Sequence, residues 1–262
     1  MHIAGKFSRS FLSQASSWSY CQKDFAPFYE ELAAKGMLQE SGGGERLWQT
    51  KSKYVLKLPV SDGSAVVFKS YRRISKAFRA MFRPSPCGTE ALNYQRTADL
   101  GIPVPELLAA GDTRHKFRLE SAFIITRFAE GFLDGRAFLP GGEFAEKHEL
   151  KEEFLRRHLE LLARFHDGGL LHRGFTPANL MWRLKEENSD SEDRLDLLWI
   201  DLASCRVLPV FYINWHCAND LQLCLKEMAL SAEETRELIG IYCAARKKSV
   251  PDFTSLCRKC GV

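Results

Sequence analysis

Nothing in this chain constrains its fold more than the run His172-Arg173-Gly174-Phe175-Thr176-Pro177-Ala178-Asn179-Leu180 and the Asp201 that follows Leu197-Leu198-Trp199-Ile200. Residues 180–183 and 195–200 read as two short strands, and the acidic and polar residues 185–194 between them read as a solvated hairpin loop. Asn179 stands just ahead of the first strand and Asp201 just after the second. Taken singly, an Asp there starts a turn and an Asn caps a loop. Together at this spacing, an amide facing a carboxylate makes an oxygen-rich site suited to Mg²⁺, an ion that keeps several waters and shares the rest of its shell with phosphates.

A chain of 262 residues with 45% apolar and 27% charged side chains can bury a full core as one large or two small lobes. The formal charge of +4 is too mild to imply nucleic acid, and no recognition module accompanies the basic residues. Residues 1–18 lack the continuous apolar core of a signal peptide, and no apolar run reaches the ~20 residues that cross a bilayer. The expected location is cytoplasmic. The eight cysteines follow no framework spacing and read as reduced thiols. Cys257 and Cys260 alone have ligand spacing, and a single pair near the end of the chain reads as a reducible tail rather than a zinc site.

Residues 1–45 read as an N-terminal extension with a helix near 25–32, broken at Gly42-Gly43-Gly44. Residues 46–49, 54–58 and 64–70 then read as a three-strand antiparallel meander, with Asp62-Gly63 as a hairpin turn. Helices are expected over 72–82, stopping at Pro84, and over 89–99, ending at Gly101; strands are expected over 102–108 and 122–128. Leu155, Leu159, Leu162 and Phe165 mark a long amphipathic helix that stops at Gly168-Gly169, and further helices are expected over 219–228 and 232–245. The order suggests a sheet lobe over 46–128 and a helical lobe over 129–262.

Phosphoryl transfer needs charge neutralisation and in-line placement more than covalent chemistry. Lys69, on a strand heading into the core, is the candidate cation, because a buried lysine without a partner would be expensive. Glu90, early in the next helix, can pair with it. The bland reading is a lysine snorkelling at a sheet edge. In a His-x-Asp loop the aspartate receives the acceptor hydroxyl proton, and here that position is Gly174. Losing a general base typically lowers a rate by about 10²–10⁴-fold while leaving positioning and electrostatics in place. His172 reads as packing toward the metal-binding segment, Asp220 as a helix start that ties down the loop, and Asp167 as a loop organiser.

Residues 69–83 carry a run of Lys and Arg without an acid, with Ile74, Ala77, Phe78, Met81 and Phe82 at helical spacing. Such a segment either packs its apolar side on a core or lies on an anionic membrane surface, and residues 72–83 are the candidate for peripheral membrane contact.

These residues resemble the lipopolysaccharide kinase family over roughly 45–245. The resemblance rests on Val66–Arg73 by position 66–73, on the stretch 165–180 with His166-Asp167-Gly168-Gly169 leading into the loop, and on Ile200-Asp201-Leu202 in place of Asp-Phe-Gly. It implies an α+β, bilobal protein-kinase-like fold, with a small antiparallel-sheet N-lobe and a mainly helical C-lobe. It further implies ATP and Mg²⁺ as cofactors, a glycolipid sugar hydroxyl of the lipopolysaccharide inner core as acceptor, and work at the cytoplasmic face of the inner membrane. By the same resemblance Lys69 holds ATP phosphates, Glu90 positions Lys69, Asn179 and Asp201 hold metal, and His172 and Gly174 occupy the catalytic positions. Two alternatives stay open: a nucleotide-binding pseudokinase acting as a scaffold in envelope biogenesis, and a small-molecule phosphotransferase of the antibiotic or choline kinase type.

Overall fold

Alternating apolar residues in the first half of the chain build a sheet. The computed structural model describes residues 15–74, 85–115, 118–185 and 193–262, and the chain divides into two units, Met1–Gln95 with Pro105–Ala129, and Arg96–Val104 with Glu130–Val262. The first unit holds β1 (Ala15–Cys21), helix α1 (Ala26–Ala34), β2 (Glu45–Gln49), β3 (Lys53–Pro59), β4 (Ala65–Ile74), most of helix α2 (Pro86–Asp99), β5 (Leu107–His115) and β6 (Arg118–Arg127). These strands form one antiparallel sheet in the order β1-β5-β6-β4-β3-β2.

Tyr54, Leu56 and Leu58 on β3 and Val66 and Phe68 on β4 share one buried face with Phe25 and Leu32 from the α1 segment. The next residues along β4, Lys69 and Tyr71, point to the opposite face because side chains alternate along a strand. Helix α2 starts at Pro86 behind Ser85, whose hydroxyl accepts from Gly88 N at 3.1 Å. A serine cap followed by proline in the first turn fixes where this helix begins, and so where Glu90 falls on it.

Three expectations for this unit are corrected. The meander is half of a six-stranded sheet, because residues 15–21 of the expected extension pair with β5. Arg72 continues β4, which runs to Ile74 instead of turning into a helix at 72; residues 75–83 of the basic segment lie outside the described residues. The strand expected at 102–108 starts at Leu107, since Pro103 and Pro105 have no N–H for a ladder. Helices α1 and α2, the strands β2 and β3 with the first part of β4, and the strand expected at 122–128 follow the sequence reading.

The second unit contains β7 (Leu133–Asp134), helix α3 (His148–Asp167), β8 (Leu170–Leu171), β9 (Leu180–Leu184), β10 (Leu195–Trp199), β11 (Arg206–Val207), and helices α4 (Val210–Leu225), α5 (Ala232–Ala245) and α6 (Phe253–Cys260). One-turn 3-10 helices sit at Gly135–Phe138, Pro177–Asn179 and Leu202–Ser204. Its core contains two aromatic groups. Phe138 lies 5.0 Å from Phe154 and 4.6 Å from Trp182 by ring centroid, and Trp199 lies 5.4 Å from Phe165 and 5.1 Å from Phe175. Helix α3 buries Leu155, Leu159 and Leu162 and stops where Gly169 takes a φ of +75°, a conformation that favours glycine.

Two helices differ from expectation. Helix α4 starts at Val210, behind Pro209, nine residues before Asn219 (219 − 210), because its first turn is apolar and carries no polar cap to read. The supposed reducible tail is α6, capped by Asp252 through Ser255 N at 2.7 Å, with Cys257 buried. Among the described residues no group of three or more His, Cys, Asp or Glu could hold a metal ion, so Cys257 and Cys260 gain no further ligands. No described helix is long and apolar enough to cross a membrane.

Candidate functional site

In the first unit, β4 delivers Lys69 and α2 delivers Glu90. Lys69 Nζ donates to Glu90 Oε1 at 2.8 Å, and the side chains are 9% and 1% exposed. A lysine and a glutamate this far from water are stable only as a pair. Tyr71, two residues along the same strand face, donates its hydroxyl to Glu90 Oε2 at 2.8 Å. Both carboxylate oxygens are therefore engaged and the rotamer of Glu90 is fixed. Lys69 Nζ also lies 5.6 Å from the centre of the Tyr71 ring. The snorkelling alternative fails on burial, since Lys69 as a whole residue is 7% exposed. Sequence reasoning missed Tyr71, although its i+2 spacing from Lys69 signals a shared face.

In the second unit the loop is held from below by Asp220. Its Oδ2 accepts from His172 N at 2.8 Å and its Oδ1 from Arg173 N at 2.7 Å. Arg173 takes a φ of +60°, a conformation that a non-glycine residue holds only under such restraint. Asp220 sits in the middle of α4, not at a helix start, and the expected tie to the loop is the role it fills. His166 Nε2 lies 3.2 Å from Asp220 Oδ2 and its Nδ1 lies 2.7 Å from the Tyr242 hydroxyl, which accepts from Arg246 Nη1 at 2.7 Å. Burial works to raise the Asp220 carboxyl, but the bond to His166 and the His172 N–H outweigh it and hold the group below its usual range. Burial pushes His166 down, opposed by the bond to Asp220.

His172 is fully buried, its ring centroid 5.5 Å from Trp199 and 5.7 Å from Phe175. Neither of its ring nitrogens has a hydrogen-bond partner among the described residues, and burial drives its pKa down to about 4. It is a neutral, packed ring beside the loop. Ser204 Oγ donates to the His172 carbonyl at 2.9 Å and so ties the segment after Asp201 to the loop.

Asn179 Nδ2 donates to the Gly174 carbonyl at 2.8 Å, which commits the amide nitrogen and leaves the amide oxygen as the donor for a cation. Ile200 N donates to Asn179 O at 3.0 Å, drawing the residue before Asp201 against Asn179. Asp201 adopts φ 55°, ψ 56°, the left-handed turn that ends the strand segment. Gly174 needs no such freedom, since its φ is not in the left-handed range, and a Cβ there would meet Ser204 Oγ at 3.2 Å. Asp167 is engaged away from the loop. It accepts from Arg246 Nε at 2.8 Å, Lys247 N at 2.6 Å and Lys248 N at 3.1 Å, which organises the segment after α5.

The model of the lipopolysaccharide kinase (Kdo/WaaP) family matches residues 62–242, which include Lys69, Glu90, the loop and Asp201. The chain belongs to this family. A solved structure of WaaP in complex with acyl carrier protein is 17% identical, covers 92% of each chain and superposes with a TM-score of 0.65. That likeness shows a protein-kinase-like fold. Rio2 kinase of Chaetomium thermophilum, solved as an ADP/Mg²⁺-phosphoaspartate complex, is 14% identical over 88% of this chain and 65% of its own, with a TM-score of 0.46. The BubR1 kinase domain is 11% identical over 82% and 77%, with a TM-score of 0.48. No curated protein matches the chain. Membership of a lipopolysaccharide kinase family makes this a kinase-like chain, and the fold expected from the sequence is the fold observed.

Proposed function

We propose that this chain is an ATP-dependent phosphotransferase of the lipopolysaccharide kinase family, acting on a sugar hydroxyl of a glycolipid at a rate limited by Gly174. The observation that carries the reading is the buried Lys69–Glu90 pair, locked by Tyr71. A cation fixed by a fully engaged carboxylate is what a phosphate-holding lysine requires, and as a purely structural device it gains little over apolar packing. The second unit offers a matching donor set. The Asn179 amide oxygen and the Asp201 carboxylate are hard oxygen ligands, and two of them suit an ion that takes its other ligands from water and phosphate. Lys69 would bind the α/β-phosphates, and Asn179 and Asp201 would hold Mg²⁺. Bound MgATP would supply the γ-phosphoryl group and the charge that neutralises its oxygens.

A specific observation favours a second reading, a nucleotide-binding pseudokinase. The three atoms nearest a Cβ on Gly174 are Ser204 Oγ, Asn179 Nδ2 and His172 Nδ1, and none of the three belongs to a carboxylate. Calorimetric titration of ATP with and without Mg²⁺, on the wild type and on Asp201→Ala, tests what both readings share. The expected result is Mg²⁺-dependent binding that Asp201→Ala weakens; no binding at millimolar ATP defeats both. Phosphate transfer to an inner-core glycolipid by the wild type then separates the enzyme from the pseudokinase.

A further inference from the structure

Helix α4 buries Ile213, Cys217, Leu221 and Cys224 on one side and leaves a second face uncovered. That face, spaced three or four residues apart, runs Tyr212, Trp215, Asn219, Leu223 and on to Lys226 at the C-cap. Its N-terminal end is aromatic. Trp215 is 75% exposed, Phe211 61% and Tyr212 48%, with the Phe211 and Tyr212 rings 4.5 Å apart. Single exposed apolar residues are ordinary, but three large aromatics within five positions of one helix form a patch.

Its C-terminal end borders a cavity of about 740 Å³ with a cationic lining. Arg173, Arg206 and Lys226 line it, with Glu227 as the one acid, and none of the three cations makes an ion pair among the described residues. The aromatic end and Lys226 are separated by about 16 Å along the helix, at 1.5 Å per residue. Aromatic rings at one end of a face and unpaired cations at the other match the layering of a membrane interface. There the rings of Trp and Tyr sit at headgroup depth, and basic side chains meet lipid phosphates.

We propose that this face of α4 docks the protein on an anionic lipid surface, with the cavity receiving a phosphate-bearing headgroup. The surface belongs wholly to the second unit and needs no nucleotide; it shares only Arg173 with the loop of the reading above, and the variants that test it leave that residue in place. It also differs from the basic segment 72–83 that the sequence offers for membrane contact.

The test is co-sedimentation of the full chain, without nucleotide, on vesicles of phosphatidylcholine and on vesicles that also contain phosphatidylglycerol. Binding is expected to the anionic vesicles only. Trp215→Ala should lower the partition about tenfold through lost apolar contact. Arg206→Gln with Lys226→Gln should lower it about thirtyfold, from two basic contacts near an anionic surface. All three positions are exposed, so each variant should keep the wild-type circular dichroism and, where ATP binds, its affinity. The proposal is overturned by no binding to anionic vesicles, by equal binding to both kinds, or by binding that either variant leaves intact. Failure on vesicles combined with capture by a polyglutamate peptide would assign the face to an acidic protein and also overturn it.

Discussion

The Lys69–Glu90 pair and the loop around Gly174 both hold polar atoms inside the protein, but they are completed to different degrees. In the first, the cation has its carboxylate, and the carboxylate's second oxygen has the Tyr71 hydroxyl. In the second, the backbone of His172 and Arg173 rests on Asp220, Ser204 closes the far side, and Asn179 is oriented by Gly174 itself. The framework around residue 174 is complete, and residue 174 itself is a glycine. A loop that had simply decayed would not keep a buried aspartate dedicated to its backbone. The difference teaches that the backbone geometry of this loop is held by Asp220, Ser204 and Asn179 and does not depend on a side chain at residue 174.

The comparison breaks most visibly at its supports. Asp220→Ala strips the acceptor from two backbone N–H groups and from His166, and should cost about 4 kcal/mol, at 1–3 kcal/mol for each buried group left unpaired. Urea unfolding checks this, and a loss under 1 kcal/mol would mean the loop is held by other means. Glu90→Ala strands a buried ammonium and should cost about 3 kcal/mol. The double change Lys69→Met with Glu90→Leu should recover most of that stability while abolishing ATP binding. A double variant as unstable as Glu90→Ala would show that the pair is needed for the fold itself.

Acid sharpens the comparison, because the loop side carries the buried imidazoles. His172 is lowered to about 4 and His158 to about 3, both from a usual value of 6.5 and both by burial. The unfolded chain therefore binds protons below pH 6.5 that the folded chain refuses. Stability should be unaffected by these groups above pH 6.5 and fall below it, by about 1.4 kcal/mol per pH unit for each group, down to the folded values. Unfolding free energies measured from pH 7 to pH 5 test the sign, and a flat profile would contradict the burial of neutral rings. Smallest of all, Tyr71→Phe should cost about 1 kcal/mol, the net worth of one hydrogen bond, and should weaken ATP binding less than Lys69→Met does.

Much of the candidate site was legible in the sequence. Lys69, Glu90, Asn179 and Asp201 sit in sequence contexts with few structural uses: a lysine inside an apolar strand, a carboxylate at the front of the next helix, and polar residues bracketing a hairpin. What was not legible depended on partners distant in sequence. Asp220 was placed at a helix start because the apolar first turn of α4 gives no start signal, and its loop partners lie 47 and 48 residues away. Strand β1 could not be read because its pairing with β5 spans most of the first unit, and Ala15-Ser16-Ser17 carries no alternation. Helix α6 was missed although Phe253, Leu256, Cys257 and Cys260 stand at helical spacing behind Asp252, because the segment is short and was read for its cysteine pair alone. Tyr71 was missed for a different reason, since its signal was present but a tyrosine on a strand is ordinary.

The most direct test of the claim that only the proton acceptor is lacking is the rate of phosphate transfer from ATP to an inner-core glycolipid by the wild type and by Gly174→Asp. The backbone at 174 accepts a side chain, and the one tight contact, Ser204 Oγ at 3.2 Å, is relieved in a companion variant carrying Ser204→Ala. The account predicts a gain of about 10²–10⁴-fold in kcat, the usual contribution of a general base, with ATP affinity unchanged. A wild type already as fast as Gly174→Asp, or a variant that binds ATP normally and gains nothing, would contradict it.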